Sequence, residues 1–278
     1  MLNKLLLVPA IIVTMSRLSF AQISVTPLSL YIHSPSNIAS LQVSNDYQEV
    51  REISISFDFG YLSSDEDGNQ VMVYDDTVAF YSYGLNDYLK AFPRKFLLTP
   101  GSSQTVRVQV RKMSRKQDGV YWNRIIVSSN EVVKHIGNSF ISGGIGTKIN
   151  YVLKHNIPVF YRKGNVNTGL ELLKYETCVN NEKLKVLVSL ARKGNSPFNG
   201  SVNAGLFDSK HNEVACHQQT TVVYFKRVQK IELDLPDGDL DAGDYILELT
   251  YRTSRKDIPA YDLVQSDPVK YKIHVAVD

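Results

Sequence analysis

The side chains able to do chemistry are present in this chain but scattered. The six histidines, His33, His135, His155, His211, His217 and His274, show no metal-ligand spacing, and Cys216-His217 lacks the second Cys or His pair that a zinc site needs. The acidic turn Asp65-Glu66-Asp67-Gly68-Asn69-Gln70 has carboxylates but neither the ligand order nor the distal Glu of a calcium loop. Asp237-Gly238-Asp239 reads as a turn, and no Gly-x-Ser-x-Gly, Walker or dinucleotide fingerprint occurs. The expectation is a protein that is not an enzyme and carries no cofactor or metal. Cys178 and Cys216 form an even pair in the second half; they either close a disulfide, worth about 3 to 4 kcal/mol on the loop-entropy model, or remain as two buried free thiols.

Any site in such a chain has to be made of backbone and packing. At 278 residues, 43% hydrophobic and 21% charged, it is long enough for two ordinary domains with real cores. The formal net charge is +3 and the basic residues form no long run, which argues against a nucleic-acid surface. Sixteen Tyr and eleven Phe, many alternating with Val, Ile and Thr, point to an all-β protein.

The N-terminus reads as an export signal. Lys4 gives a positive start, Leu5 to Met15 an apolar core, and Ser19-Phe20-Ala21 the small residues that a signal peptidase inspects, so cleavage is expected before Gln22. The apolar core is shorter than the roughly 18 residues that span a bilayer, and no later segment approaches that length, so no stable membrane insertion is expected. With no Cys at the cut, a lipid anchor is not expected either.

In the first half, strand signals run over Ile23 to His33, Ile38 to Asn45, Glu49 to Tyr61, Gln70 to Tyr74, Phe96 to Leu98, Gln104 to Arg111 and Gly119 to Ser128, separated by turn clusters such as Ser34-Pro35-Ser36-Asn37 and Thr99-Pro100-Gly101. Val78 to Leu89 is aromatic-rich without a clean period, and its Tyr81, Tyr83 and Tyr88 look exposed. The second half gives Leu170 to Thr177, Leu184 to Ala191, Gly200 to Phe207, Glu213 to Cys216, Val222 to Leu235, Asp244 to Thr253 and Val269 to Val277. Leu240-Asp241-Ala242-Gly243-Asp244-Tyr245 has the form of a tyrosine corner, and Asp118-Gly119-Val120-Tyr121 is its counterpart in the first half. The fold class predicted is all-β, two immunoglobulin-like sandwiches in series: a signal peptide over 1–21, domains over 22–162 and 169–278, and a linker over 163–168.

Between the halves lies the longest alternation, Thr147 to Arg162. Ile149, Tyr151, Leu153, His155, Ile157 and Val159 fall on one face of a strand, and Lys148, Asn150, Val152, Lys154, Asn156 and Pro158 on the other. It follows the flexible lead Ser142-Gly143-Gly144-Ile145-Gly146. Such a strand is either the ordinary last strand of a sandwich or one whose edge is left open to another chain. Pro158 has no backbone donor, and so marks where regular pairing on one side should stop.

Four stretches carry a resemblance: Ile23 to Asp46, Phe96-Leu97-Leu98-Thr99-Pro100-Gly101-Ser102-Ser103-Gln104-Thr105-Val106-Arg107-Val108, Gly119-Val120-Tyr121-Trp122-Asn123, and Ile157-Pro158-Val159-Phe160-Tyr161-Arg162. In order and spacing they resemble the periplasmic pilus chaperones, the PapD-like family, over residues 23 to 162. The resemblance implies a periplasmic chaperone that lends its long strand to pilin-like secreted subunits lacking one, with an outer-membrane usher as a further candidate partner. By position the inserting residues would be Ile149, Tyr151 and Leu153. The family's two basic cleft residues, which hold the subunit's C-terminal carboxylate, fall here at Ser29 and Pro158, and neither supplies a charge. Lys154, His155 and Lys163 are the nearby substitutes by sequence. Arg162 matches the family's domain-joint arginine, with Asp118 as its expected salt-bridge partner. The alternatives are a structural or adhesive surface protein, with the strand paired internally, and a carbohydrate-binding sandwich.

Overall fold

The computed structural model describes residues 22–132, 151–180, 183–235 and 242–277. The export signal, the glycine-rich lead, Ile149, His135 and the Asp237-Gly238-Asp239 turn lie outside the described residues. What is described is two β-sandwiches in series.

The first sandwich packs a sheet ordered β1-β3-β9-β7 against one ordered β2-β11-β10-β4-β8. The first sheet comprises β1 (Ile23–Thr26), β3 (Ile38–Asn45), β9 (Ser103–Val110) and β7 (Leu89–Phe92). The second comprises β2 (Leu30–His33), β11 (Leu153–Lys163), β10 (Gly119–Glu131), β4 (Arg51–Asp58) and β8 (Lys95–Leu98). Alternation places Leu41 and Val43, Val106 and Val108, Ile125 and Val127, and Ile157 and Val159 between the sheets. Ile23 to His33, read as one strand, is broken at Pro27-Leu28-Ser29. There the chain leaves one sheet for the other, because Pro27 cannot donate to a ladder. That crossing leaves β2 only four residues long.

The second sandwich pairs β12 (Thr168–Asn180), β13 (Lys183–Gly194) and β16 (Lys226–Asp234) in one sheet. Its other sheet is ordered β15-β14-β17-β18, from β14 (Phe198–Phe207), β15 (Glu213–Val223), β17 (Gly243–Arg252) and β18 (Val269–Val277). Val222 to Leu235 is therefore not one strand: the chain changes sheets at Tyr224-Phe225. Neither is a turn residue, and both are held by a separate cluster on the outer face of the first sandwich. Tyr224, Val120, Trp122, Phe160, Phe59 and Tyr61 are buried there, with Phe225 packed against them. Trp122 is fully buried, its ring stacked 4.6 Å from Tyr83 and tilted against Tyr224 at 5.0 Å.

The segment between β4 and β7 supplies the rest of this cluster. It holds the hairpin β5 (Tyr61–Ser64) and β6 (Gln70–Val73) and the helix α1 (Thr77–Tyr83). Asp76 caps α1, accepting from the Ala79 amide at 2.9 Å and from the Tyr61 hydroxyl at 2.7 Å. Tyr81, Tyr83 and Tyr88 form no common surface: Tyr81 is exposed, Tyr83 stacks on Trp122 and Tyr88 packs against the first core. The tyrosine corner of the first half is present, with Tyr121 donating to the Gln117 carbonyl at 2.7 Å. Tyr245 is buried at the start of β17, and residues 236–241, just upstream of it, lie outside the described residues.

Candidate functional site: an open stretch of strand edge

β11 is paired very unequally on its two sides. Antiparallel pairing with β10 runs its whole length, from Leu153 opposite Ser129 to Lys163 opposite Gly119. Parallel pairing with β2 covers only Val159 to Arg162, opposite Leu30 to His33. From Leu153 to Pro158 the second edge carries no strand among the described residues. Pro158 stands at the boundary: its pairing with Arg124 of β10 is unbroken, and the β2 pairing begins one residue later.

The side chains change character at the same place. Ile157, Val159 and Tyr161 are buried in the first core. Continuing the same face towards the N-terminus, His155 is half-buried, Leu153 is 39% exposed and Tyr151 is 75% exposed. The apolar stripe runs off the end of the sandwich into solvent. Two polar atoms at this end, Ser129 Oγ and His155 Nε2, are buried and have no hydrogen-bond partner. On the opposite face Asn156 donates to the Tyr74 hydroxyl at 2.8 Å, and Phe160 enters the aromatic cluster.

Ser29 immediately precedes β2 and Pro158 precedes the residues paired with it, so the parallel register makes them neighbours without a charge between them. Of the nearby cations, Lys154 is exposed and His155 lies on the opposite face. Lys163 pairs with Asp118 at 3.1 Å. The cation that sequence reading misses is Arg124, directly opposite Pro158 on the same face. It is 8% exposed, with Nε 3.4 Å from the Gly60 carbonyl and an NH2 3.4 Å from Met72 Sδ. Among the described residues no carboxylate lies within ion-pair distance of it. Only the cross-strand register brings it to Pro158, and register is not written in either strand alone.

The expected Arg162 to Asp118 bridge is absent. Arg162 donates instead to the Asp262 carbonyl at 3.0 Å, across to the second sandwich, where Asp262 also meets His33 at 2.9 Å. Asp118 accepts from the Asn165 amide at 3.0 Å and from Lys163, and these bonds hold its carboxyl below the usual carboxylate range. The cause is alternation: Arg162 and Lys163 leave the strand on opposite sides, and the second takes the acid. Cys178 and Cys216 are also corrected. They are free, exposed thiols on strands of different sheets, β12 and β15, neither bridged nor buried.

The chain is similar to solved structures of pilus and fimbrial chaperones. One is the YadV chaperone, at 8% identity over 90% of this chain and 99% of that one, with a TM-score of 0.45. Another is the class 5 fimbriae chaperone CfaA, at 13% identity over 90% and 98% of the two chains, with a TM-score of 0.44. A third comes from the Salmonella enterica SafA pilin in complex with the SafB chaperone, at 13% identity over 91% and 96%, with a TM-score of 0.42. No protein-family model and no curated protein matches the chain.

Proposed function

We propose that this chain is a periplasmic chaperone that binds and stabilises secreted pilus- or fimbrial-type subunits by lending them the strand over 147–162. The domains would be 22–162 and 169–278 joined by 163–168, behind a cleaved signal over 1–21. The observation that carries the reading is the open edge of β11 from Leu153 to Pro158, coupled to a core-facing stripe that continues into exposed Leu153 and Tyr151. A subunit short of one strand can pair its backbone with that edge and bury those side chains, each contributing on the order of 1.5 to 3 kcal/mol. Ile149 would extend the stripe. Exposure of Tyr151 and Leu153 supports this reading over the structural or adhesive one, which needs them in a core.

Strand lending does not depend on charges at Ser29 and Pro158. Arg124 faces Pro158 from the β10 side of the strand, is buried, and has no carboxylate partner among the described residues. No step of this function requires a nucleotide, a metal or covalent chemistry.

The test is to express the tagged protein in the periplasm of its own host, identify what co-purifies, and repeat with Tyr151→Asp and Leu153→Asp. A small β-rich secreted subunit should come down with the wild type and be lost from both variants, each of which should melt normally. A normal melt with undiminished capture would remove the strand from the mechanism.

A further inference from the structure

A second bare edge lies on the other sandwich, and nothing in the strand-lending reading uses it. β12 is an edge strand, paired only with β13. Its first residues are closed off on the other side. Tyr271 Oη accepts from the Leu172 amide at 3.0 Å and donates to the Leu170 carbonyl at 3.3 Å, and Leu170 is buried. The register then shifts between Leu172 and Lys174, leaving Leu173 as the extra residue of a bulge.

Beyond the bulge the strand stands clear of the body. Every residue from Leu173 to Cys178 is exposed, Leu173 at 49% and Tyr175 at 46%. Among the described residues, none outside β13 bonds the backbone of this stretch. It contains no proline, and its only charges, Lys174 and Glu176, are of opposite sign, lie on one face and pair with each other at 3.2 Å. An unpaired edge of this composition is a template for another strand.

We infer that the partner is a second copy of this chain, joined antiparallel through β12 about a two-fold axis at Tyr175. An edge that pairs with itself must be complementary to itself. With the axis at Tyr175, Lys174 lies opposite the partner's Glu176 and Glu176 opposite the partner's Lys174, so both cross-strand pairs are attractive. Moving the axis to residue 174 sets Lys against Lys, and moving it to residue 176 sets Glu against Glu. At residue 175 the two tyrosine rings meet and cover each other's exposed faces. The product is a continuous six-stranded sheet in which both β12 edges are satisfied. In this register each Cys178 faces the partner's Leu172, and the two Cys178 thiols are about 20 Å apart along the strands.

The test is sedimentation velocity of the mature chain over about a hundredfold range of concentration, on the wild type and three variants. The wild type should show a concentration-dependent dimer. Lys174→Glu should raise its dissociation constant at least roughly tenfold, since two attractive pairs become repulsive. Lys174→Glu combined with Glu176→Lys should restore it, because the swapped pair is again self-complementary. Leu153→Asp, on the other open edge, should leave the dimer unchanged, which separates this association from strand lending. A wild type that is monomeric throughout overturns the inference, as does a charge swap that fails to restore the dimer. Loss of the dimer in Leu153→Asp would place association at β11 and overturn it as well. So would spontaneous disulfide linkage of Cys178 to Cys178, which needs a different register.

Discussion

The free edges of β11 and β16 meet opposite fates. β16 closes its sheet on the side facing the first sandwich, and the β5-β6 hairpin is laid along it. Ser64 Oγ accepts from the Val228 amide at 2.8 Å, and the hairpin tip packs so closely that a Cβ added at Gly68 would lie 2.9 Å from the Lys230 nitrogen. Gly68 has φ +78°, so the tip requires glycine both for its backbone and for its clearance. Among the described residues, β11 receives no such cover between Leu153 and Pro158. The β5-β6 hairpin hides one edge, while among the described residues the other lies bare beside apolar side chains.

The contrast breaks most visibly at the aromatic seam that holds the hairpin in place. Trp122 has no solvent exposure and touches rings of Tyr83, Tyr224, Phe225 and Phe59. Trp122→Ala should cost about 3 to 5 kcal/mol in urea denaturation. Tyr151→Ala should change stability by no more than about 0.5 kcal/mol while weakening guest capture. Equal losses of stability in the two variants would mean that Tyr151 belongs to a core.

Much of this was legible in the sequence, and the illegible parts share a cause. Ile38 to Asn45 and Val269 to Val277 were read with the bounds they have, because each alternates over one core and follows a cluster of turn residues. The alternation of the long strand correctly placed Ile157 and Val159 on the face of Leu153 and Tyr151. The reading failed wherever a residue's partner lies in the other sandwich or on a neighbouring strand. Tyr224-Phe225 looks like strand interior but is a sheet crossing held by rings from the first sandwich. Arg162 looked towards Asp118 because both lie near the joint, yet its acceptor comes from Asp262, a hundred residues on. Arg124 became a candidate only when the register set it against Pro158. The two cysteines could not be assigned to sheets until the topology was known.

A smaller effect sharpens the same seam through pH. Burial pushes the phenol of Tyr224 up to about 12, partly offset by the positive charge of Arg124. Tyr31, stacked 5.2 Å from Phe160, is pushed up to about 12 by burial as well, with bonds from Ser29 and Asn199 working the other way. A phenol whose pKa is raised on folding contributes stability that is complete below pH 10 and is lost as pH climbs through 12. For the buried Tyr224 the loss approaches about 2 to 3 kcal/mol at the top of that window. Melting temperatures at pH 8, 10 and 11 should therefore fall more steeply for the wild type than for Tyr224→Phe, which has no phenol to ionise. Parallel curves would remove Tyr224 from the alkaline transition.

The smallest effect tests the covered edge itself. Ser64→Ala takes away the side-chain acceptor of the Val228 amide without removing any of the rings beneath the hairpin. An amide left unpaired there should cost about 1 kcal/mol. The change is too small to unfold the seam but large enough to register in hydrogen exchange, where Val228 should lose about a fivefold protection factor. Amides on the open side of Leu153 to Ile157 should exchange quickly in both proteins and slow only when a guest is bound. If Val228 exchanges at the same rate with and without Ser64, the hairpin shields that edge by bulk alone. The two edges would then differ in access to solvent and not in hydrogen bonding, and β11 would need only an unobstructed approach, not an unpaired ladder, to receive a guest.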